Sequence, residues 1–177
     1  MASALIACGD MDLKTNLRTT QQMTHFHAMA ERFIPMSSEV ALAYCKAACH
    51  FGCWSTPSVF VANVAVAMLS HTGVSKVQEW GANVIAMIAF KRKSAIKDFV
   101  DGNIHNVLFS VSDSHLEYAE VQMAVCWALY YMRKNSELGE AALCKHREET
   151  KRVAMRGKSV SVYEGLLRHP FDTLILF

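Results

Sequence analysis

The chain reads Val77-Gln-Glu-Trp-Gly-Ala-Asn-Val-Ile-Ala-Met-Ile-Ala-Phe90 near its centre, and it repeats the pattern as Val121-Gln-Met-Ala-Val-Cys-Trp-Ala-Leu-Tyr-Tyr-Met-Arg-Lys134. A weaker third copy runs from Val40 to Phe51, and the copies begin 37 and 44 residues apart. Within each copy apolar residues recur at i, i+3 or i+4 and i+7, which is the period of a helix. A repeat of roughly 40–47 residues is typical of stacked helical arrays. The pattern therefore predicts an all-α fold.

The composition agrees with one helical domain. The chain has 177 residues, of which 52% are apolar, and only 8 glycines and 3 prolines. This length is enough to bury a shared core, and so little glycine and proline argues against a loop-rich β-protein. The formal net charge of +2 gives no overall field that would attract nucleic acid or a membrane surface. The apolar stretch from Val59 to Leu69 is well short of the ~20 residues of a membrane span.

The predicted domain covers residues 1–177 and has three parts. Residues 1–37 are expected to form N-terminal cap helices, the first of them over residues 2–13. Residues 38–165 are expected to form the repeats, and residues 166–177 an apolar C-terminal edge. Because repeat arrays need polar caps at their ends, this edge is expected to pack back, to self-associate or to continue into further residues.

The segments between the copies predict sharp corners between helices. Asn63, Gly102 and Gly157 occupy matching positions, and both residue types tolerate the left-handed backbone that such a corner needs. The charged stretch at residues 137–150 makes the last interval longer than the one before it. We interpret this stretch as a lengthened helix or an inserted loop.

Two motifs resemble the armadillo repeat, which has a short helix, a sharp corner, a second helix and a long third helix. The run Val121-Gln…Cys126-Trp127-Ala128-Leu129 is similar to the family's third helix, and Ala95-Ile-Lys-Asp-Phe-Val-Asp-Gly102-Asn-Ile is similar to its corner. The resemblance covers residues 38–165. It implies a right-handed α-solenoid of about three repeats, whose third helices line a groove that binds extended peptides or protein surfaces.

The resemblance also implies which residues line that groove. They lie in the column where nuclear-import receptors of this architecture place tryptophan and, four residues later, asparagine. In this sequence the column holds Lys46, His50, Asn83, Met87, Trp127 and Tyr131. None of the three pairs is Trp-x-x-x-Asn, which argues against a receptor for nuclear-localisation signals. Tryptophan, tyrosine and methionine are nevertheless frequent in protein interfaces, so the sequence predicts a different protein or peptide as the partner.

Chemical sites are weakly represented in the sequence. Cys45, Cys49 and Cys53 share one helical face, but the outer two lie roughly 12 Å apart, too far for one tetrahedral zinc ion. We interpret them as buried thiols; the alternative is an ion held by Cys49 and His50 together with His25 or His27. No phosphate-binding loop, dinucleotide fingerprint or nucleophile elbow is present, so we predict a non-enzymatic protein without a cofactor and name no catalytic residue.

Two alternative functions stay open. The run from Glu79 to Ala86 resembles the first homology segment of Bcl-2-type apoptosis regulators, although Ala82 stands where that family has a ligand-pairing arginine. An uncharacterised enzyme is a further alternative. We interpret the basic clusters at residues 91–93 and 145–158 as solvated helix ends, with an acidic partner or a nucleic-acid backbone as the alternatives. Both clusters lack the interleaved aromatic residues of single-strand binding, which argues against nucleic acid. Free thiols without a secretion signal favour the cytoplasm, with the nucleus as the alternative.

Overall fold

The computed structural model describes residues 20–51 and 57–164, and the side chains of residues 24–49 and 59–159. These parts of the chain are all helical and contain no β-strand. The helices are α1 (Thr20–Phe33), a 3-10 turn (Ile34–Met36), α2 (Ser38–Phe51), α3 (Pro57–Ser70), α4 (Ser75–Lys91), α5 (Ala95–Asp101), α6 (Ile104–Ser114), α7 (Ala119–Lys134), α8 (Glu137–Lys145) and α9 (Arg147–Glu164). The all-α prediction is confirmed.

The three sequence copies become helices α2, α4 and α7. Helix α4 packs against both α2 and α7, and α7 packs in turn against α9. The predicted inward positions of α7 are all buried, namely Val121, Ala124, Ala128 and Met132. Each large aliphatic side chain buried in this way contributes about 1.5–3 kcal/mol relative to exposure. Contacts between neighbouring long helices therefore hold the core together.

A buried glutamine fastens two of these long helices to the helix before each of them. Gln78 of α4 donates its side-chain amide to the carbonyl oxygens of Met68 and His71, both at 2.9 Å. Gln122 of α7 donates to the carbonyls of Ser112 at 2.9 Å and His115 at 2.7 Å. The acceptors lie ten and seven residues before the glutamine in both cases, so the same polar contact recurs 44 residues apart.

A histidine also recurs at this interval, and each copy bonds a backbone carbonyl much earlier in the chain. The Nε2 atom of His71 lies 2.6 Å from the carbonyl oxygen of Ile34, and that of His115 lies 2.7 Å from the carbonyl of Thr72. A carbonyl can only accept, so each imidazole carries its hydrogen on Nε2 and donates it. Both the glutamine and the histidine contacts thus recur at an interval of 44 residues.

The predicted corners are partly wrong. Helix α5 ends at Asp101, as the corner at Gly102 requires, but the residue with a left-handed backbone is Asn103, at φ 53°. Asn63 and Gly157 lie inside the continuous helices α3 and α9. The stretch at 137–150 is neither a lengthened helix nor an inserted loop, because α8 ends at Lys145 and α9 begins at Arg147, with His146 between them. This break is the true counterpart of the one at Asn103, 43 residues later.

Other predictions fall partly or wholly on residues that the structure does not describe. The cap helix at 2–13 and the apolar edge at 166–177 lie outside the described ranges, as does Cys53. Of the predicted cap, α1 and the 3-10 turn are described. No described helix has the length and apolar character needed to cross a membrane.

A buried polar network joins the first three helices. The His27 Nδ1 atom lies 3.0 Å from the Tyr44 hydroxyl, whose oxygen also accepts from the Asn63 side-chain amide at 3.2 Å. Only a neutral imidazole can accept the Tyr44 hydroxyl hydrogen at Nδ1. Burial lowers the pKa of His27, because desolvation penalises the charged ring. Asn63 therefore serves this network, which explains why it does not form a corner.

This network makes the fold sensitive to acid. In the unfolded chain a histidine takes up its proton near pH 6.5, whereas the folded pKa of His27 is lower. The unfolded state therefore binds more protons below that pH, and the free energy of unfolding is expected to fall as pH drops through this window. Urea titrations at pH 7.5 and pH 5.5 would measure the loss. His105, whose pKa is lowered by burial and by His146, contributes in the same direction.

The variant His27→Gln isolates one contribution to this acid sensitivity. Glutamine does not titrate, so the variant should be less stable than the natural protein at pH 7.5 but should lose less stability on acidification. An equal pH dependence in both proteins would show that the His27 network is not the sensor.

Candidate functional site

The partly exposed side of α4 is one helical stripe. Trp80, Asn83, Met87 and Phe90 follow one another at intervals of three or four residues, while the positions between them face the core. Because i and i+3 or i+4 lie above one another on a helix, these side chains form a single column. Phe90 is 55% exposed, which is unusual for an aromatic residue beside a well-packed core.

Helix α7 presents a matching stripe beside it. Met123, Trp127, Tyr131 and Lys134 have the same spacing and are partly or fully exposed. Since α4 and α7 pack side by side, the two stripes form one continuous surface, which we call the third-helix face. The neighbouring helix α2 adds Leu42 and Lys46 on its outer side.

Aromatic rings meet where the α4 and α7 stripes end. Trp127 stacks on Tyr131 with centroids 5.5 Å apart and planes 20° apart. The ring of Phe90 lies 4.9 Å from that of Tyr131, which joins the two helices. Trp127 also contacts the edge of Tyr130 at 5.8 Å. These rings hold one another in fixed orientations, so a partner that binds them would find pre-organised apolar contacts.

The two ends of the face differ in charge. At the end where the long helices begin, Lys76 bonds Glu79 at 2.7 Å; this hydrogen bond and the charges of Glu79 and Glu120 raise the pKa of Lys76. At the other end α4 and α7 finish in Lys91 and Lys134, both exposed. A hydrogen bond to Tyr130 raises the pKa of Lys134.

The structure places five of the six predicted groove residues on this face. Lys46 is exposed on α2, and its ammonium nitrogen lies 5.6 Å from the centre of the Trp80 ring, a cation–π distance. Asn83 and Met87 are half-buried on α4, and Trp127 and Tyr131 are half-buried on α7. The side chain of His50 lies outside the described residues.

Two surface residues were not predicted from the sequence. Trp80 shares the helical spacing of the apolar residues in its copy, yet it is partly exposed and lies beneath Lys46. Phe90 has no place in the column of six, although it makes the closest aromatic contact between α4 and α7. A shift of 44 residues places Phe90 opposite Lys134, so extending the column by one turn beyond Met87 and Tyr131 would have included it.

Of the three cysteines interpreted as buried thiols, Cys45 is buried, Cys49 is partly buried and Cys53 lies outside the described residues. Cys45 is fully buried, and burial together with the nearby Cys49 raises its pKa to about 12. Cys126 is buried and donates to the carbonyl of Val153 at 3.3 Å. Cys144 is exposed, and Cys49 is partly buried.

The proposed metal ligands are not brought together within the described residues. His27 turns inward to Tyr44, whereas His25 is exposed. In the same part of the chain, no three side chains of His, Cys, Asp and Glu form a metal-binding group. Cys53 and the side chain of His50, the other proposed metal ligands, lie outside the described residues.

Comparisons with known proteins add no relative. The chain matches no protein-family model, no curated protein and no solved structure.

Proposed function

We propose that this chain is a non-enzymatic protein-interaction module whose third-helix face binds an extended peptide or a protein surface. The observation that carries the proposal is the aromatic cluster of Phe90, Trp127 and Tyr131 at the junction of α4 and α7. Tryptophan and tyrosine anchors supply most of the binding energy in many interfaces. Because these rings already pack against one another, little side-chain entropy is lost on binding.

We further propose that the helices form a right-handed solenoid of about three armadillo-like repeats. Two observations support this arrangement. The long helices contact their neighbours in order, and the glutamine and histidine contacts recur about 44 residues apart. In such an array each unit stabilises only the next one, and the third helices form the binding groove. The buried, protonated thiols favour the cytoplasm, with the nucleus as the alternative.

The Bcl-2-like alternative receives no support from the position that should pair with a ligand. Ala82 is completely buried in the core, so this position offers no surface to a partner. The neighbouring Gly81 is also buried, with Met68 packed closely against it. Binding of a short amphipathic death-domain helix remains the direct test of this alternative.

The substitution Trp127→Ala tests the proposed function. The ring is only partly buried, so the helical circular-dichroism signal should persist. Loss of a central aromatic anchor costs at least ~2 kcal/mol of binding, or roughly 30-fold in affinity. The immobilised protein would be used to capture partners from a cell lysate, and quantitative mass spectrometry would compare natural and variant chains.

Met155→Ala provides the matched control. Met155 is 62% exposed on α9 and is not among the residues that define the third-helix face. The control should capture the same proteins as the natural chain, whereas Trp127→Ala should lose them. Identical capture by all three proteins would refute the third-helix face as the binding surface.

A further inference from the structure

The end of the third-helix face where α4 and α7 finish combines exposed aromatic surface with unbalanced positive charge. Asn135 donates its side-chain amide to the carbonyl of Ala89 at 2.9 Å, which holds the two helix ends side by side. The exposed lysines Lys91 and Lys134 therefore flank the contact between Phe90 and Tyr131. We call this region, defined by these four residues, the basic aromatic corner.

The positive charge of the corner is not neutralised by the carboxylates around it. Arg133 pairs with Glu140 at 3.4 Å, but neither Lys91 nor Lys93 has a carboxylate partner among the described residues. Lys134 interacts with Tyr130, whose ring centre lies 5.3 Å from its ammonium nitrogen, and with Tyr131. At the opposite end of the face, by contrast, Lys76 is balanced by Glu79 and Glu120. Of the two ends of the face, only the corner therefore carries lysines without a carboxylate partner among the described residues.

We propose that the basic aromatic corner binds a partner segment in which acidic residues flank an aromatic or large apolar residue. This inference rests on the proposed function and specifies its partner class. The apolar side chain would pack on Phe90 and Tyr131, and the carboxylates would pair with Lys91 and Lys134. Charge complementarity of this kind chiefly fixes register and excludes partners with the wrong charge.

A nucleic acid fits the corner less well than an acidic protein segment. Single-strand binding uses aromatic faces on which bases stack. The Trp127 and Tyr131 rings already stack on each other, and Tyr131 is further covered by Phe90. The rings therefore offer edges and a shallow apolar surface, while the charge lies in two lysines and not along a groove that could follow a phosphate backbone.

An unbiased random-peptide display library, selected against the full chain, tests the partner class directly. Peptides that combine aspartate or glutamate with an aromatic residue should be enriched. Enrichment of basic or uncharged peptides whose binding is lost in Trp127→Ala would refute the acidic class and leave the proposed function standing. Failure of Trp127→Ala to affect any selected peptide would refute both.

Charge-reversal variants then locate the binding. Lys91→Glu with Lys134→Glu should weaken a selected fluorescein-labelled acidic peptide at least tenfold in fluorescence anisotropy, and added NaCl should weaken it in the natural chain. The control, Lys145→Glu with Arg147→Glu, makes the same change in net charge on α8 and α9 and should have little effect. Equal weakening by both pairs, or tighter binding of a single-stranded oligonucleotide than of the peptide, would overturn the proposal. Circular dichroism confirms that each variant is folded.

Discussion

Replacement of Gly139 by alanine is expected to destabilise the protein by about 3 kcal/mol, the upper end of the usual cost of overpacking. A Cβ atom at this position would lie 2.1 Å from the carbonyl oxygen of Met132 and 2.8 Å from its carbonyl carbon. These are backbone atoms at the end of α7, so they cannot rotate away. The clash would push α8 from its place beside α7 and disturb the contact with Ile96 of α5, whose Cγ2 lies 3.1 Å away.

Gly81→Ala is the matched control for this substitution. Its Cβ atom would lie 2.6 Å from the Cγ and Sδ atoms of Met68. These atoms belong to a flexible side chain that can adopt another rotamer. Alanine also favours the helix over glycine by about 1 kcal/mol, which offsets the rearrangement. Urea unfolding should therefore show a large loss for Gly139→Ala and a change within about 1 kcal/mol for Gly81→Ala. Similar losses in both variants would contradict the backbone-clash explanation.

The close contact at Gly139 could not be predicted from the sequence, and the helix breaks could be predicted only in part. Periodic apolar residues were enough to predict the helices α2, α4 and α7, because their inward faces decide where each helix packs. The break at His146 carries no glycine or proline, and it closes with a hydrogen bond from the His146 backbone N–H to the Leu143 carbonyl at 3.0 Å. Gly157 has the composition of a corner residue but lies within α9. Residue type alone therefore could not distinguish a turn from a close helix contact.

The candidate site was predictable in part for a similar reason. Trp127 and Tyr131 follow from the spacing and from the family resemblance, and the structure brings them together. Trp80 and Phe90 have the same apolar character as core residues, and only the packing of α2 and α7 against α4 leaves them partly exposed. The charge difference between the two ends of the face could be seen only after Asn135 had placed the ends of α4 and α7 next to each other.

The buried glutamines lead to the second prediction with a large effect. Gln122→Ala is expected to cost about 3 kcal/mol, because it removes three hydrogen bonds and leaves a cavity in the core. Its amide donates to two carbonyls, and its oxygen accepts from the Ser112 hydroxyl at 2.6 Å. The carbonyl of His115 keeps one bond, from the Tyr118 backbone N–H at 3.2 Å, which limits the loss.

Gln78→Ala should lose about 1 kcal/mol less stability than Gln122→Ala, because the Gln78 side chain makes one hydrogen bond fewer. The residue that corresponds to Ser112 is Met68, which has no hydroxyl, and the Gln78 side-chain oxygen is buried without a described partner. Removing Gln78 therefore also removes an unpaired buried acceptor, which reduces the net loss of stability. Chemical denaturation of both variants measures the difference.

A double-mutant cycle of Ser112→Ala and Gln122→Ala measures the hydrogen bond between the Ser112 hydroxyl and the Gln122 side-chain oxygen. The cycle is made in an Arg156→Ala background, because Arg156 contacts the same hydroxyl at 3.2 Å. A coupling of about 1 kcal/mol is expected. A coupling energy near zero, together with equal losses of stability in Gln78→Ala and Gln122→Ala, would show that the Ser112 hydroxyl does not distinguish the two glutamine sites. Because the donors and acceptors of the two glutamines are otherwise the same, such a result would assign the stability difference to the packing around Met68.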